Sequence, residues 1–261
     1  MSQNTQFLHY QWQNDEKTAT DAPVMVVLHG LFGDLNNLGV IARAFADDYR
    51  VLKVDLRNHG HSFHSDEMNY AIMARDVIAL LDHLDIQEVI LVGHSMGGKT
   101  AMAAADLLAE RVKRLVVLDI APVAYGHHGH DDVFTALFAV QKAMPASRQE
   151  AKPILQQHIV AEGVQQFMLK SFDASSPQRF LFNLTALYAN YDNIMGWHSV
   201  QVSVPTLFIR GGRSNYVTDS YLAAIEAQFS HAQLVTIDNT AHWLHAEKPS
   251  AVIEAMRAFL A

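Results

Sequence analysis

GHSMGGKT, residues 93–100, admits two incompatible readings, and the choice between them decides the fold. Gly93, four residues, then Gly98-Lys99-Thr100 fits a loop that cradles phosphate, with Lys99 as the working residue and a nucleotide as ligand. Gly93-His94-Ser95-Met96-Gly97 fits a sharp strand-to-helix turn that presents Ser95 as a nucleophile. The surroundings of the stretch must separate the two.

EVILVG (88–93) leads into it as a buried strand, and a helix of small residues, about 97–109, follows. Upstream, VMVVLHG (24–30) and RVLKVDL (50–56) are short apolar runs rich in β-branched residues, which read as buried strands. Downstream, VKRLVVLDI (112–120), TLFIRGG (206–212) and AQLVTI (232–237) read the same way. Residues 37–48, 70–84, 218–229 and 249–260 carry helical spacing between them. Alternating strands and helices predict an α/β fold with a mostly parallel sheet covered on both faces. The rhythm stops over 123–203, where helical segments occur without a clear strand. There Ser147 to Glu150 has capping-box spacing, and Ser176-Pro177 reads as a cap followed by proline at the first helical position. The expected organisation is a core of 1–122 and 204–261 interrupted by a helical cap insertion, 123–203.

The whole chain narrows the function classes. Its 261 residues are half apolar, enough for one sizeable core. A formal net charge of −8 without a Lys/Arg cluster argues against nucleic acid and anionic membrane as partners. No apolar run approaches the roughly 18 residues of a membrane span. MSQNTQFLHYQWQNDE lacks the pattern of a secretory signal. Cysteine is absent, so disulfides and thiol chemistry are excluded. A cytoplasmic enzyme is the simplest expectation; oligomeric state stays open.

LVVLD, ending at Asp119, gives the nucleotide reading some support, since such a strand and Asp can help hold Mg²⁺. However, a phosphate loop normally follows the first strand, and here at least two strands precede it. No Asn-Lys-x-Asp signature occurs. The turn reading draws on three separated segments. A serine in so tight a turn needs small neighbours, and Gly93 and Gly97 supply them. Serine also needs a base, and Asn239-Thr240-Ala241-His242-Trp243 lies just before the final helix. His245, three residues on, is a second candidate base; the match around Ala241-His242-Trp243 favours His242. Acyl chemistry requires N–H groups aimed at an oxyanion. His29-Gly30-Leu31-Phe32-Gly33 can offer the Leu31 amide, and the Met96 amide opens the helix after Ser95. On this reading Lys99 is an ordinary helix residue.

DLRNHGHS (55–62), GHSMGGK (93–99), LDIAPV (118–123), GGRSNYV (211–217) and AHWLHAEKP (241–249) resemble the α/β-hydrolase superfamily, and within it the small bacterial acyl esterases of the YbfF type. The resemblance runs from end to end. It implies a Ser, His, acid triad, no metal or organic cofactor, and hydrolysis of small-molecule acyl esters or thioesters. Ser95, Leu31, Met96 and His242 match its motifs position by position. The acid is displaced: most members keep it at the position occupied here by Ser214, which cannot act as an anionic partner. Asp219 is the nearest carboxylate, expected to favour a helix dipole. Asp119 ends an apolar strand, where an unpaired charge is costly, and is the expected acid. Dehalogenases of the same fold need a carboxylate nucleophile, which Ser95 argues against. Non-catalytic binding relatives tend to lose triad members, and Ser95 and His242 are both in place.

Other segments invite a functional reading. Gly126-His127-His128-Gly129-His130-Asp131-Asp132 looks like a metal cluster but lacks the usual helical His spacing, and a polar hinge is expected. Asp55 to Gly60 is expected to be a structural turn with its charges bonded to backbone. Phe134, Phe138, Phe167, Phe172, Phe180, Phe182, Tyr188 and Trp197 are expected to form mostly the core of the insertion, a few facing Ser95.

Overall fold

The computed structural model describes residues 6–13, 21–126 and 129–261. Seven strands among them form one sheet: β1 (Tyr10–Gln13), β2 (Val24–Leu28), β3 (Arg50–Val54), β4 (Val89–His94), β5 (Val112–Leu118), β6 (Thr206–Gly211) and β7 (Ala232–Ile237). Their spatial order is β1-β3-β2-β4-β5-β6-β7. Every pairing is parallel except β1 on β3, where Tyr10 faces Val54 and Gln13 faces Val51. Sequence reading missed β1. Its four residues, YQWQ, are only half buried and carry no apolar run. Trp12 is covered instead by the Arg50 guanidinium, 4.5 Å from the ring centroid.

The central strands are buried on both faces, so alternate residues feed two cores. Met25, Val27, Val51, Val92 and Val116 pack with α1 (Gly39–Phe45) and α11 (Pro249–Leu260), through Ile41, Phe45, Val252 and Met256. Val26, Leu28, Leu52, Leu91 and Val117 pack with α2 (Tyr70–His83) and α3 (Met96–Leu108), through Met73, Val77, Ala101 and Ala105. Asn69 caps α2, its side chain accepting the Ile72 N–H.

Between β5 and β6 the chain forms α4 (Asp131–Ala143), α5 (Arg148–Gln156), α6 (Glu162–Lys170), α7 (Leu184–Ala189) and α8 (Tyr191–Met195). Ser147 caps α5 by accepting the Glu150 N–H at 3.2 Å; the Glu150 carboxylate returns to the Ala146 N–H, one residue before the reciprocal bond of a capping box. Ser176-Pro177 does not start a helix. It lies in a turn closed by the Arg179 N–H on the Ser176 carbonyl, tied off by an antiparallel bridge between Phe172 and Phe180. After β6 a single 3-10 turn, Asp219–Tyr221, precedes α9 (Leu222–Gln228), and α10 (Leu244–Glu247) precedes α11. Among the described residues no helix is long and apolar enough to cross a membrane.

Candidate active site

The C-terminal ends of β2, β4, β5 and β6 converge, as sites of open parallel sheets do. At the end of β4 the chain turns into α3 through Ser95, whose φ is 53° and ψ −121°. A non-glycine residue is held there only when its surroundings over-determine it. The constraint is visible at Gly93 and Gly97. A Cβ on Gly93 would run into the Gly97 carbonyl, and one on Gly97 into the Leu28 and His29 carbonyls. Backbone cannot give way as a side chain can, so both positions require glycine.

His242 stands between Ser95 and Asp119. Its Nε2 lies 2.9 Å from Ser95 Oγ, and its Nδ1 lies 2.7 Å from Asp119 Oδ2. Asp119 is fully buried, with φ 51°. Its Oδ1 accepts the Gly211 N–H at 2.8 Å, and its Oδ2 also accepts the Ser214 hydroxyl. A carboxylate is an acceptor only, so Nδ1 carries the proton and Nε2 is left to accept from Ser95. Ser214, at the position where the resemblance would put the acid, is thus a donor to the Asp119 carboxylate. Asp219 is remote from this cluster: its side chain is 81% exposed and pairs with Arg210 at 2.7 Å.

The turn after β2 is fixed by two buried histidines. His29 Nε2 accepts the Leu56 N–H, and its Nδ1–H donates to the Gly30 carbonyl. His59 Nε2 accepts the Phe32 N–H at 3.1 Å, and its Nδ1–H donates to the Arg57 carbonyl. Burial drives the pKa of His29 down and that of His59 to about 3, so both stay neutral and keep an acceptor nitrogen. With Phe32 engaged, the Leu31 amide is the next N–H of the turn. Among the described residues neither the Leu31 nor the Met96 amide donates a hydrogen bond. The Asp55 to Gly60 turn is held largely by backbone, Asp55 accepting the Leu35 and His61 amides, but the Asp55 carboxylate also lies 2.9 Å from His9 Nδ1. Arg57 departs in part, pairing with Asp76 as well as with the Glu67 carbonyl.

Several contributors were not foreseen. His94 Nε2–H donates to the His242 carbonyl at 2.9 Å and so anchors the loop carrying that ring. Tyr216 stacks on the His242 ring, centroids 4.0 Å apart. His245 is not at Ser95. It packs edge-on against His94, and burial pulls its pKa to about 4. Lys99 corrects the sequence reading most clearly. It is 1% exposed, not an ordinary helix residue, and its Nζ donates to the carbonyls of Gly196 at 2.9 Å and Met195 at 3.3 Å. Burial lowers its pKa to about 7.

A groove of about 520 Å³ opens over Ser95, lined by Leu31, Phe32, Val164, Phe167, Met168 and Trp243 among others. Of the eight aromatics expected in the insertion, only Phe167 reaches it. Phe134, Phe138 and Tyr188 line a separate depression, and Phe134, Phe172, Phe180 and Phe182 are core. His130 also lines the groove, its Nδ1 2.6 Å from the Tyr191 hydroxyl. His127 and His128 lie outside the described residues. A cavity of similar size at the opposite end of the sheet, lined by Asp21, Arg50, Glu88 and Lys113, is far from this chemistry.

This fold and this site define the class. The alpha/beta hydrolase fold family matches residues 23–165, and the chain belongs to that family. Esterase YbfF of Escherichia coli is 42% identical over 97% of this chain and 98% of its own length. A Haemophilus influenzae protein named provisionally as an esterase/lipase is 55% identical over 97% of this chain and 88% of its own. Among solved structures, a marine microorganism esterase superposes with a TM-score of 0.91 at 32% identity, covering 98% of this chain and all of the other.

Proposed function

We propose that this α/β-hydrolase, an esterase by its relatives, is a carboxylic ester hydrolase working through Ser95, His242 and Asp119. The observation that carries the mechanism is the unbroken line from Ser95 Oγ through His242 to Asp119, at 2.9 and 2.7 Å. Ser95 Oγ attacks the acyl carbon while His242 Nε2 takes its proton. Asp119, charged and buried against Nδ1, stabilises the imidazolium. The Leu31 and Met96 amides donate to the oxyanion. The intermediate collapses as His242 returns the proton to the leaving alcohol or thiol, giving an ester of Ser95. A water then loses a proton to His242, attacks that ester and releases the acid.

No step calls on a metal or organic cofactor, and the substrate is a small acyl ester or thioester of short to medium chain. Residues 123–203 serve as a cap over the core of 1–122 and 204–261, and the protein works in the cytoplasm. The rival phosphate-loop reading loses its cation, since the Lys99 amine is committed to two carbonyls. Labelling with a fluorophosphonate tests the proposal. Modification of Ser95 alone, abolished in Ser95→Ala, is expected; a folded protein that hydrolyses esters yet leaves Ser95 unlabelled would contradict it.

A further inference from the structure

Two cavities meet at Ser95. The outer groove of about 520 Å³ and an inner cavity of about 30 Å³ share Leu31, Ser95, His130 and Tyr216. The inner one is walled by Tyr70, Met96, Lys99, Tyr125, Ile194 and Met195, all buried. We propose that the inner cavity is the acyl site, that it takes an acyl group of roughly two to four carbons, and that Lys99 closes it and sets this limit. The inference rests on Ser95 being the nucleophile. It adds the substrate class: short-acyl esters or thioesters of a larger, partly apolar alcohol or thiol held in the outer groove.

Size and rigidity both point this way. A water molecule needs about 10–15 Å³ of such space, so the inner cavity has room for about two. The outer groove has room for a far larger group, and Val164, Phe167, Met168 and Trp243 give it an apolar lining. Lys99 follows Ser95 by four residues, hence one helical turn deeper on the same side of α3. Its amine is held at several points at once. It donates to the Met195 and Gly196 carbonyls at the end of α8, and lies 4.7 Å from the Tyr125 ring centroid, 5.4 Å from Tyr70 and 5.8 Å from Trp197. Tyr70 Oη donates to the neighbouring Ile194 carbonyl at 2.6 Å. A side chain held at its tip by core and cap together cannot swing aside for a longer chain.

The test is a chain-length series of p-nitrophenyl esters, acetate to decanoate, with wild type, Lys99→Ala, Lys99→Met and Ile194→Ala. Fluorophosphonate labelling of each folded variant separates the two levels: a wild type that fails to label at Ser95 sinks the nucleophile, whereas the chain-length profile alone decides the role of Lys99. Wild type should favour acetate to butyrate in kcat/KM. Lys99→Ala should raise the hexanoate to acetate ratio by about tenfold or more, the worth of a methylene gaining or losing its place in an apolar pocket. Lys99→Met, one atom shorter and without the amine that the Met195 and Gly196 carbonyls hold, still fills most of the space and should shift the ratio less than Lys99→Ala. Ile194→Ala, which widens the cavity from the cap side, should move the ratio as Lys99→Ala does. A merely structural lysine would lower all esters together. The inference is overturned if labelled Lys99→Ala keeps the wild-type profile, or if Lys99→Met shifts the ratio as far as Lys99→Ala. Should Lys99→Ala fail to fold, an unchanged profile in Ile194→Ala overturns it equally.

Discussion

Asp119→Asn removes a charge while leaving shape intact, and the hydrogen bonds around the carboxylate determine the cost. The carboxylate accepts three donors at once: the Gly211 N–H, the Ser214 hydroxyl and His242 Nδ1–H. An amide has one acceptor oxygen and one donor nitrogen. If its oxygen keeps the Gly211 N–H, its NH₂ faces His242, and Nδ1 must give up its proton to accept. The proton then sits on Nε2, which can no longer take one from Ser95. The variant also lacks the anion that stabilises the imidazolium. Triad acids replaced by their amides lose up to about 10⁴-fold in kcat, equivalent to about 5.5 kcal/mol. Ser214→Ala removes one hydrogen bond to the carboxylate and keeps the charge, so a loss of about tenfold to a hundredfold, well short of Asp119→Asn, is expected. Asp219→Asn breaks an exposed pair with Arg210, worth about 0–1 kcal/mol, and should turn over normally. The assay is kcat for p-nitrophenyl butyrate, on variants whose thermal melts show a folded protein. A near-normal Asp119→Asn beside a crippled Asp219→Asn would refute the reasoning, and two active variants would reduce the relay to Ser95 and His242.

Gly97→Ala should lower stability by about 1–3 kcal/mol and remove esterase activity, since the added Cβ meets backbone carbonyls of β2 and its turn; a chemical denaturation curve matching wild type would contradict this. Acid should destabilise the fold between about pH 6.5 and 4. Unfolded histidine takes up a proton near pH 6.5, whereas buried His245 does so only near 4 and His59 near 3. The unfolded chain therefore binds more protons in that window, and stability falls as pH drops through it. Melting temperatures from pH 7.5 to 4.5 should decline, and less steeply in His245→Leu. Phe167→Ala, in the outer groove, should raise KM for p-nitrophenyl butyrate more than for methyl butyrate; equal changes would place the leaving group elsewhere.

The strand-helix rhythm was legible because each central strand is buried on both faces and so reads as an unbroken apolar run. β1 was not, because an edge strand half in water needs no such run. Ser95 announced itself through the glycines that its backbone demands, and Asp119 through the cost of a charge ending a buried strand. The partners that hold the ring of His242 carried no signal. His94 acts through a backbone carbonyl 148 residues away, and Tyr216 through a stacked ring. Lys99 was misread for a related cause. On a helix lysine ordinarily faces water, and only the end of α8, nearly 100 residues on, supplies the carbonyls that bury it. The insertion's aromatics were visible, but which of them faces Ser95 depends on packing between helices.

If Ser95 is the nucleophile, it must carry the acyl group between the two halves of the reaction. Rapid acid quench of the enzyme mixed with p-nitrophenyl butyrate, followed by mass spectrometry of the proteolysed protein, reads this directly. A butyryl group on the peptide containing Ser95, formed as fast as p-nitrophenol is released and absent from folded Ser95→Ala, is expected. A butyryl group on another residue, or full turnover by Ser95→Ala, would contradict it.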